Sequence, residues 1–372
     1  VIFYPDTVSW NAEISFGSKN VLSLSNPKSC TLCLCVLGQT LSGAGQISAL
    51  SRTIGNSTGN DGCLWEILNS GEDSKLSLKV LNIKSGDEVI TAANTFVATV
   101  GAITEIGAKP VFVDCDDTFC MNVDLIEKKI TKKTKAIVPV HFTGYMTNMV
   151  KLLKLSKKYK IPIVEDACQS ILGAINNKNA GTWGDFGAFS LHPLKNINVW
   201  SDGGIITTNN KKYYKKLLLL RNHGLINRDT VKICGYNSRL DTFQAVVGNW
   251  LLPKAKAIAN QRIINAKYYD KNLGNLKEIT IPPRPKNFKI VFHLYIVFAK
   301  KRDQLLNYCK KKGIEAKIHY PLPMYIQESL KFLKHKKGDF PITDLHTKKI
   351  ITFPCDQHIK KNEMNYIIKT FN

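Results

Sequence analysis

Residues 86–114 read GDEVITAANTFVATVGAITEIGAKPVFVD. A turn, Ser85-Gly86-Asp87, opens onto the short apolar run 88–92. Residues 96–106 then repeat apolar side chains at helical spacing, and PVFVD at 110–114 is a second short apolar run. Two strands joined through a helix pair side by side and parallel, because the crossover reverses the chain once. Outward from this unit the alternation continues. A helix is expected over 123–130, a strand over 136–141, a helix over 149–159 and a strand over 162–165. Strands near 186–191 and 204–207 extend the same sheet. Short apolar runs alternating with helices predict a doubly wound, largely parallel sheet covered on both faces.

Beyond this core, a long helical stretch is expected over 238–273. Residues 275–372 carry their own strand at 294–298 and helices at 303–312 and 362–370, the pattern of a smaller C-terminal α/β domain. The expected division is a large domain over 76–250 and a small one over 251–372. Residues 1–75 differ: they are rich in Ser, Gly, Cys and Asn, with weak strand signals at 21–24 and 31–37 and no helix of normal length.

The 372 residues carry a net charge of +23, which raises the question of a nucleic-acid partner. Of the 52 basic residues only seven are Arg, and the Lys are spread along the whole chain. Base and phosphate recognition favours the planar guanidinium, so scattered Lys reads as a solvated surface that can steer anionic substrates. No run of 18 apolar residues indicates a membrane span, and the first ten residues lack the basic-then-apolar pattern of a signal peptide. Cys30 and Cys33 have metal-like spacing, but no second pair follows. The ten cysteines read as free thiols in a reducing cytoplasm, with no metal site.

In open α/β sheets, ligands gather at the carboxyl ends of strands. Three motifs fall there. Val164-Glu165-Asp166-Ala167-Cys168-Gln169-Ser170 follows a buried strand, and Asp166 is placed either as a functional carboxylate or as a helix cap. Gly187 to Asn196 reads GAFSLHPLKN, which puts Lys195 just past a strand that ends in His-Pro. A Lys drawn out of water becomes a nucleophile suited to a Schiff base. Asp202-Gly203-Gly204 fits a tight turn into the next strand.

These motifs resemble the DegT/DnrJ/EryC1/StrS family of sugar aminotransferases, which has the aspartate-aminotransferase (type I) fold and uses pyridoxal 5′-phosphate (PLP). The matching stretches are 86–114 as quoted, TKAIVPVHFTGYMTNM (134–149), PIVEDACQS (162–170), AGTWGDFGAFSLHPLKNINVWSDGG (180–204), LLRNHGL (219–225), GYNSRLDTFQAVVG (235–248) and GIEAKIHYPLPMYIQ (313–327). The resemblance implies that Lys195 holds the cofactor and moves the proton, and that Asp166 pairs with its ring nitrogen. It implies Gln169 near the ring's 3-oxygen and Phe96 against the ring face, where spacing alone also fits a core Phe. Ser190 matches a phosphate-binding hydroxyl. Asn237 matches an Asn that reaches the phosphate from a neighbouring subunit, so a homodimer with shared active sites is implied. His319 and Tyr320 match a motif near the nucleotide-sugar pocket, although Pro321 alone explains a strand edge there. The implied reaction is transamination of a nucleotide-linked keto-sugar, with glutamate as amino donor. Lys195 argues against the family's dehydratase branch, which carries His at that position.

The resemblance weakens before residue 76. The nearest counterpart of the family's glycine-rich phosphate loop is Gly59-Asn60-Asp61-Gly62, and residues 69–75 (NSGEDSK) read as an insertion that breaks the following helix. A divergent N-terminus and a disrupted reading frame both explain this; the abrupt change in composition favours the second. Ser201 and Cys355-Asp356-Gln357-His358 are smaller departures. The rival readings are a catalytically impaired or regulatory protein on the same fold, and a basic nucleic-acid binder.

Overall fold

The structure, a computed structural model, describes residues 64–68 and 73–371. The expected strands at 21–24 and 31–37, the Cys30–Cys33 pair and the loop at Gly59 and Asn60 lie outside the described residues. In chain order the first elements are β1 (Leu64–Leu68), α1 (Asp73–Val80), β2 (Glu88–Ala92), α2 (Val97–Thr104), β3 (Lys109–Val113), β4 (Thr134–Val138), α3 (Met149–Tyr159) and β5 (Val164–Asp166). Next come β6 (Ala174–Ile175), β7 (Lys178–Asn179), β8 (Phe186–Ser190), β9 (Gly204–Thr208), α4 (Lys211–Arg221), α5 (Thr242–Leu251) and α6 (Ala255–Leu273). The C-terminal part holds β10 (Ile279–Thr280), β11 (Phe288–Lys289), β12 (Tyr295–Ala299), α7 (Arg302–Lys311), α8 (Pro341–Lys349), β13 (Ile350–Phe353) and α9 (Lys361–Phe371).

Strands β3, β2 and β4 pair in parallel, and β5, β8, β9 and β1 form a second ladder. Two parallel bridges, Ile137 with Ile163 and Val140 with Asp166, join the two into one run ordered β3-β2-β4-β5-β8-β9-β1. The pairs up to β5–β8 are parallel; β9 and β1 are antiparallel to their neighbours. Side chains in a strand alternate between faces. Val89, Val138, Val164 and Ile206 point to one side, where Leu76, Leu78 and Val80 of α1 and Leu217 and Leu220 of α4 cover them. Ile90, Ile137, Ile163 and Ile205 point to the other side and join the larger core with α6 and the C-terminal strands. Both faces are thereby sealed, as the uninterrupted apolar runs demand. The α/β class expected from the sequence is the one observed.

Three local expectations differ. The helix expected over 123–130 is two 3₁₀ turns, Val123–Leu125 and Glu127–Lys129. Asn122 caps the first through Asp124 N–H, and of the apolar positions only Val123 and Ile126 are buried, too few for an apolar stripe. The helix over 238–273 is split. Asp241 and Gln244 form a capping box that starts α5 at Thr242, and Pro253, which has no N–H to donate, sits in the 3₁₀ turn Leu252–Lys254 before α6. The third difference is at 69–75, where a broken helix was expected. Helix α1 begins inside this stretch, at Asp73, and β1 pairs with β9 ahead of it, so the irregular N-terminal segment already contains sheet and helix.

Glu165, in the middle of β5, is fully buried. It accepts hydrogen bonds from Gly181 N (2.9 Å), Trp183 N (2.6 Å), Gly184 N (2.7 Å) and His141 Nε2 (2.9 Å). His141 Nδ1 in turn accepts from Thr147 N at 3.2 Å, so the ring is neutral with its proton on Nε2. Charge-assisted bonds contribute about 1.5–3 kcal/mol each, enough together to offset burial of one carboxylate. Glu165→Gln turns an amide donor toward a donor-only surround. It is expected to lower unfolding free energy by about 3 kcal/mol, read as a shifted urea midpoint with unchanged slope.

His346 is buried against Phe119 and Phe298, at ring separations of 5.3 and 5.1 Å. Burial pushes its pKa from 6.5 down to about 4, with Asp114 and Asp117 pulling weakly upward. The unfolded chain therefore binds a proton that the folded one refuses. Stability is full above pH 6.5 and is lost as pH falls toward 4. Replacement by Leu is expected to flatten the pH dependence of the unfolding midpoint over that window, by an amount on the order of 3 kcal/mol.

Candidate active site

Strands β5 and β8 run parallel and adjacent, so their carboxyl ends open at the same edge. Asp166 is the last residue of β5, and Lys195 follows β8 after the turn at His192-Pro193, where Lys195 N donates to His192 O (2.8 Å). Both line one cavity of about 550 Å³, together with Phe96, Gln169, Ser190, His319 and Tyr320. Seven of the ten residues expected at the site are thus brought together. Asn237 is exposed and does not line this cavity. Gly59 and Asn60 lie outside the described residues.

Asp166 is 7 % exposed, and its carboxylate is fixed from two sides. Thr99 Oγ1 on α2 donates to Oδ2 at 2.7 Å, and Cys168 N donates to Oδ1 at 3.2 Å. Thr95 Oγ1 is 2.8 Å from Thr99 Oγ1 and extends the chain of hydroxyls. The bond from two residues downstream resembles a helix cap, but a turn and no helix follows, so the capping alternative does not hold. Gln169 Oε1 accepts from Thr143 N at 2.7 Å. Phe96 precedes α2 with 48 % exposure, its ring 5.9 Å from that of Tyr320, so the core reading of Phe96 fails as well. Ser190 Oγ accepts from His192 N at 3.2 Å.

Lys195, Arg262 and Lys317 bring cations to the walls, and two of the imidazoles there are pushed toward the neutral form. His293 is held well below its ordinary pKa by burial, then by Lys195, Arg262, His319 and His192. It reaches the cavity because Val291 N donates to Gly144 O (3.3 Å) and Leu294 N donates to Thr143 O (3.2 Å). Gly144 sits at φ +108°, and a Cβ there would lie 2.5 Å from Phe292 N, so only glycine allows this approach. His319 Nδ1 is 2.9 Å from Thr352 Oγ1, and burial, Lys317 and Lys195 lower its pKa to about 4. Tyr320 is pushed up to about 12 by burial and by Asp166, while a hydrogen bond to Gln169 acts the other way. Cys168 is raised well above its usual range by burial and Asp166, against the pull of Lys195, which keeps it a neutral thiol.

Several cavity residues were not anticipated: Asp73 and Ser74 of α1, Thr99, Arg262 and His293. The signal for the first two was present. Gly71 and two acidic residues precede the apolar positions 76, 78 and 80, which is how a helix N-terminus reads. The stretch taken as an insertion is where α1 starts, and its first turn faces the cavity. A Cβ on Gly204 would meet the Asp73 carboxylate at 2.1 Å, so β9 and α1 touch closely here. Arg262 and His293 stand 67 and 98 residues beyond Lys195 in sequence, and no local motif marks them.

The donor set fits PLP. A buried carboxylate held by two donors suits a protonated ring nitrogen, a primary amine and an aromatic face share its cavity, and two serines with a helix N-terminus suit a phosphate. Comparison with known proteins agrees. The sequence model of the DegT/DnrJ/EryC1/StrS aminotransferase family matches residues 46–372, reaching well back of residue 76, before which the resemblance was expected to weaken. The chain is 34% identical over 304 residues to a pleiotropic regulatory protein of Geobacillus stearothermophilus, covering 81% of this chain and 82% of the relative. It is 34% identical over 297 residues to a UDP-N-acetyl-3-dehydro-alpha-D-glucosamine 3-aminotransferase of Acidithiobacillus ferrooxidans, covering 79% and 80%. The structure of DesV from S. venezuelae, in complex with a ketimine intermediate, superposes with TM-score 0.80 at 30% identity over 82% of this chain and 83% of that one. The chain belongs to the DegT/DnrJ/EryC1/StrS aminotransferase family.

Proposed function

We propose that the protein transfers an amino group from glutamate to a nucleotide-linked keto-sugar, with PLP as cofactor. The observation that carries this is the convergence of Lys195 and Asp166, from the ends of two adjacent parallel strands, on one cavity with Phe96, Gln169 and Ser190. Bound there, PLP supplies the electron sink that makes the C–H bond beside the transferred nitrogen acidic. Lys195 Nζ holds the cofactor at rest and carries the proton during transfer. The Asp166 carboxylate would keep the proton on the ring nitrogen, and Thr99 and Cys168 N–H hold that carboxylate in place. Phe96 would cover the ring face, and Gln169, fixed by Thr143 N–H, would face the ring oxygen. Ser190, with Ser74 and the first turn of α1, takes the phosphate end. His319 and Tyr320 line the part of the wall assigned to the sugar nucleotide. No described helix is long and apolar enough to cross a membrane, and the described cysteines are free thiols, which supports a cytoplasmic setting.

Purified protein loaded with PLP is expected to show the absorbance of the lysine-bound cofactor and to bleach when glutamate is added. Lys195→Ala should abolish the lysine-dependent band and lower the rate of amino transfer by at least about 10³-fold. Asp166→Asn should keep the band while slowing bleaching by about 10²- to 10³-fold. A protein without a chromophore after incubation with PLP supports the regulatory reading instead.

We further propose a homodimer with shared sites. Phe243, Val246 and Trp250 line one face of α5 at helical spacing, each more than half exposed, and Trp200 packs on Phe243 with rings 5.9 Å apart. An apolar face of this size is suited to a second copy. Asn237, exposed and away from its own cavity, is free to reach the partner's phosphate. Trp250→Lys is expected to shift the species in sedimentation from dimer to monomer. Mixing inactive Lys195→Ala with Asn237→Ala should recover about a quarter of wild-type activity, because half of the dimers are mixed and each mixed dimer carries one intact site of two.

A further inference from the structure

Arg262, on α6, has no part in the chemistry above, and its surroundings are unusual for a guanidinium. It is 7 % exposed and lines the cavity that holds Lys195. Nε donates to Gln357 Oε1 at 3.0 Å, and Nη1 donates to the carbonyl oxygens of Phe292 (3.2 Å) and His293 (3.3 Å). Nη2 makes no hydrogen bond among the described residues. The contrast with two other arginines is direct. Arg284 pairs with Asp270 at 2.9 Å, and the 9 % exposed Arg302 pairs with Asp303 at 2.6 Å. Arg262 forms no ion pair among the described residues. Asp356 acts on it only at longer range and takes a hydrogen bond from His358 N (2.7 Å) instead. A guanidinium stays charged in a protein, and a buried charge without a counter-charge is costly. The cavity side of Arg262 is therefore where an anion belongs.

We propose that Arg262 binds a carboxylate of the amino donor and so selects amino acids over simple amines. This rests on the transamination reading. Position favours the donor over the nucleotide-sugar diphosphate. Nη1 of Arg262 is bonded to the backbone of His293, and His293 feels the charges of both Arg262 and Lys195. Arg262 and Lys195 line the same cavity, so an anion on the free edge of Arg262 shares it with the reacting amine. An amino acid carries its α-carboxylate on the carbon that bears the transferred nitrogen. A diphosphate lies beyond a sugar ring from the reacting carbon and trails a nucleoside, which needs an open wall. Lys317, 61% exposed at its side chain and paired with Glu315, offers a cation of that kind. With Nε and Nη1 committed to protein acceptors, Arg262 is preorganised, and one edge remains for the ligand.

The test follows the two half-reactions separately on the PLP-loaded enzyme by cofactor absorbance, using Arg262→Gln and Arg262→Lys. The apparent constant for glutamate is expected to rise about 30-fold in Arg262→Gln and less in Arg262→Lys, which keeps the charge. The constant for the sugar nucleotide should stay within about twofold. An unchanged glutamate constant, an equal rise for both substrates, or a rise for the sugar alone overturns the proposal. Should the variants fail to fold, wild-type holoenzyme is treated with phenylglyoxal and Arg262 is mapped by mass spectrometry. Glutarate, a dicarboxylate that cannot react, should slow its modification, and uridine diphosphate should not. Protection by uridine diphosphate alone, or an Arg262 that the reagent never reaches, overturns the proposal. A wild-type enzyme that glutamate leaves unbleached counts against the transamination reading, while glutarate protection still reports on Arg262.

Discussion

A carboxylate sealed from water has to find all its donors in the protein, and Glu165 finds four. Three are backbone N–H groups of residues 181–184, the loop that feeds β8; the fourth is His141, just beyond β4. One side chain therefore fixes the spacing between three neighbouring strand connections. The next residue in the chain is Asp166. Its carboxylate can be aimed within a fraction of an ångström only because the strand beneath it cannot slide. The same clamp locates the start of β8, and hence Lys195 at its far end.

The site is also an electrostatic arrangement. Lys195, Arg262 and Lys317 share the cavity with His192, His293 and His319. Three cations leave little room for a fourth, and His293 and His319 are both driven toward the neutral form by burial and by those neighbours. Asp166, Asp73, Asp202, Glu315 and Asp356 bring carboxylates to the same cavity, and of these Asp166 is 7 % exposed and held by Thr99 and Cys168 N–H. The cavity thus sets both signs of charge side by side, three cations and five carboxylate side chains. The net charge of +23 adds long-range steering of anions.

Misread elements have specific causes. Residues 123–130 carry apolar side chains at helical intervals, but Asn122 captures the first turn and the segment is too short to bury a stripe. Residues 238–273 read as one helix because their periodicity is continuous; a capping box and Pro253 cut it. At 69–75, Ser, Gly and acidic residues were read as an interruption, although the same residue types mark a helix start. The choice between the two depends on whether the N–H groups of the first turn face a cavity, which is a tertiary fact.

Sequence alone determined the layered α/β class, since buried parallel strands must be apolar on both faces and helices must be amphipathic. It also singled out Lys195 and Asp166 as candidates, because both sit at strand ends inside motifs whose residues are close in sequence, and both line one cavity. Only the tertiary structure decided the rest of the cavity. Thr99 reaches Asp166 from a helix 67 residues earlier in the chain. His293 arrives through the close approach at Gly144, and Arg262 comes from α6 with no ion pair among the described residues. These positions are set by packing between distant segments, and packing leaves no short-range periodicity from which to read them.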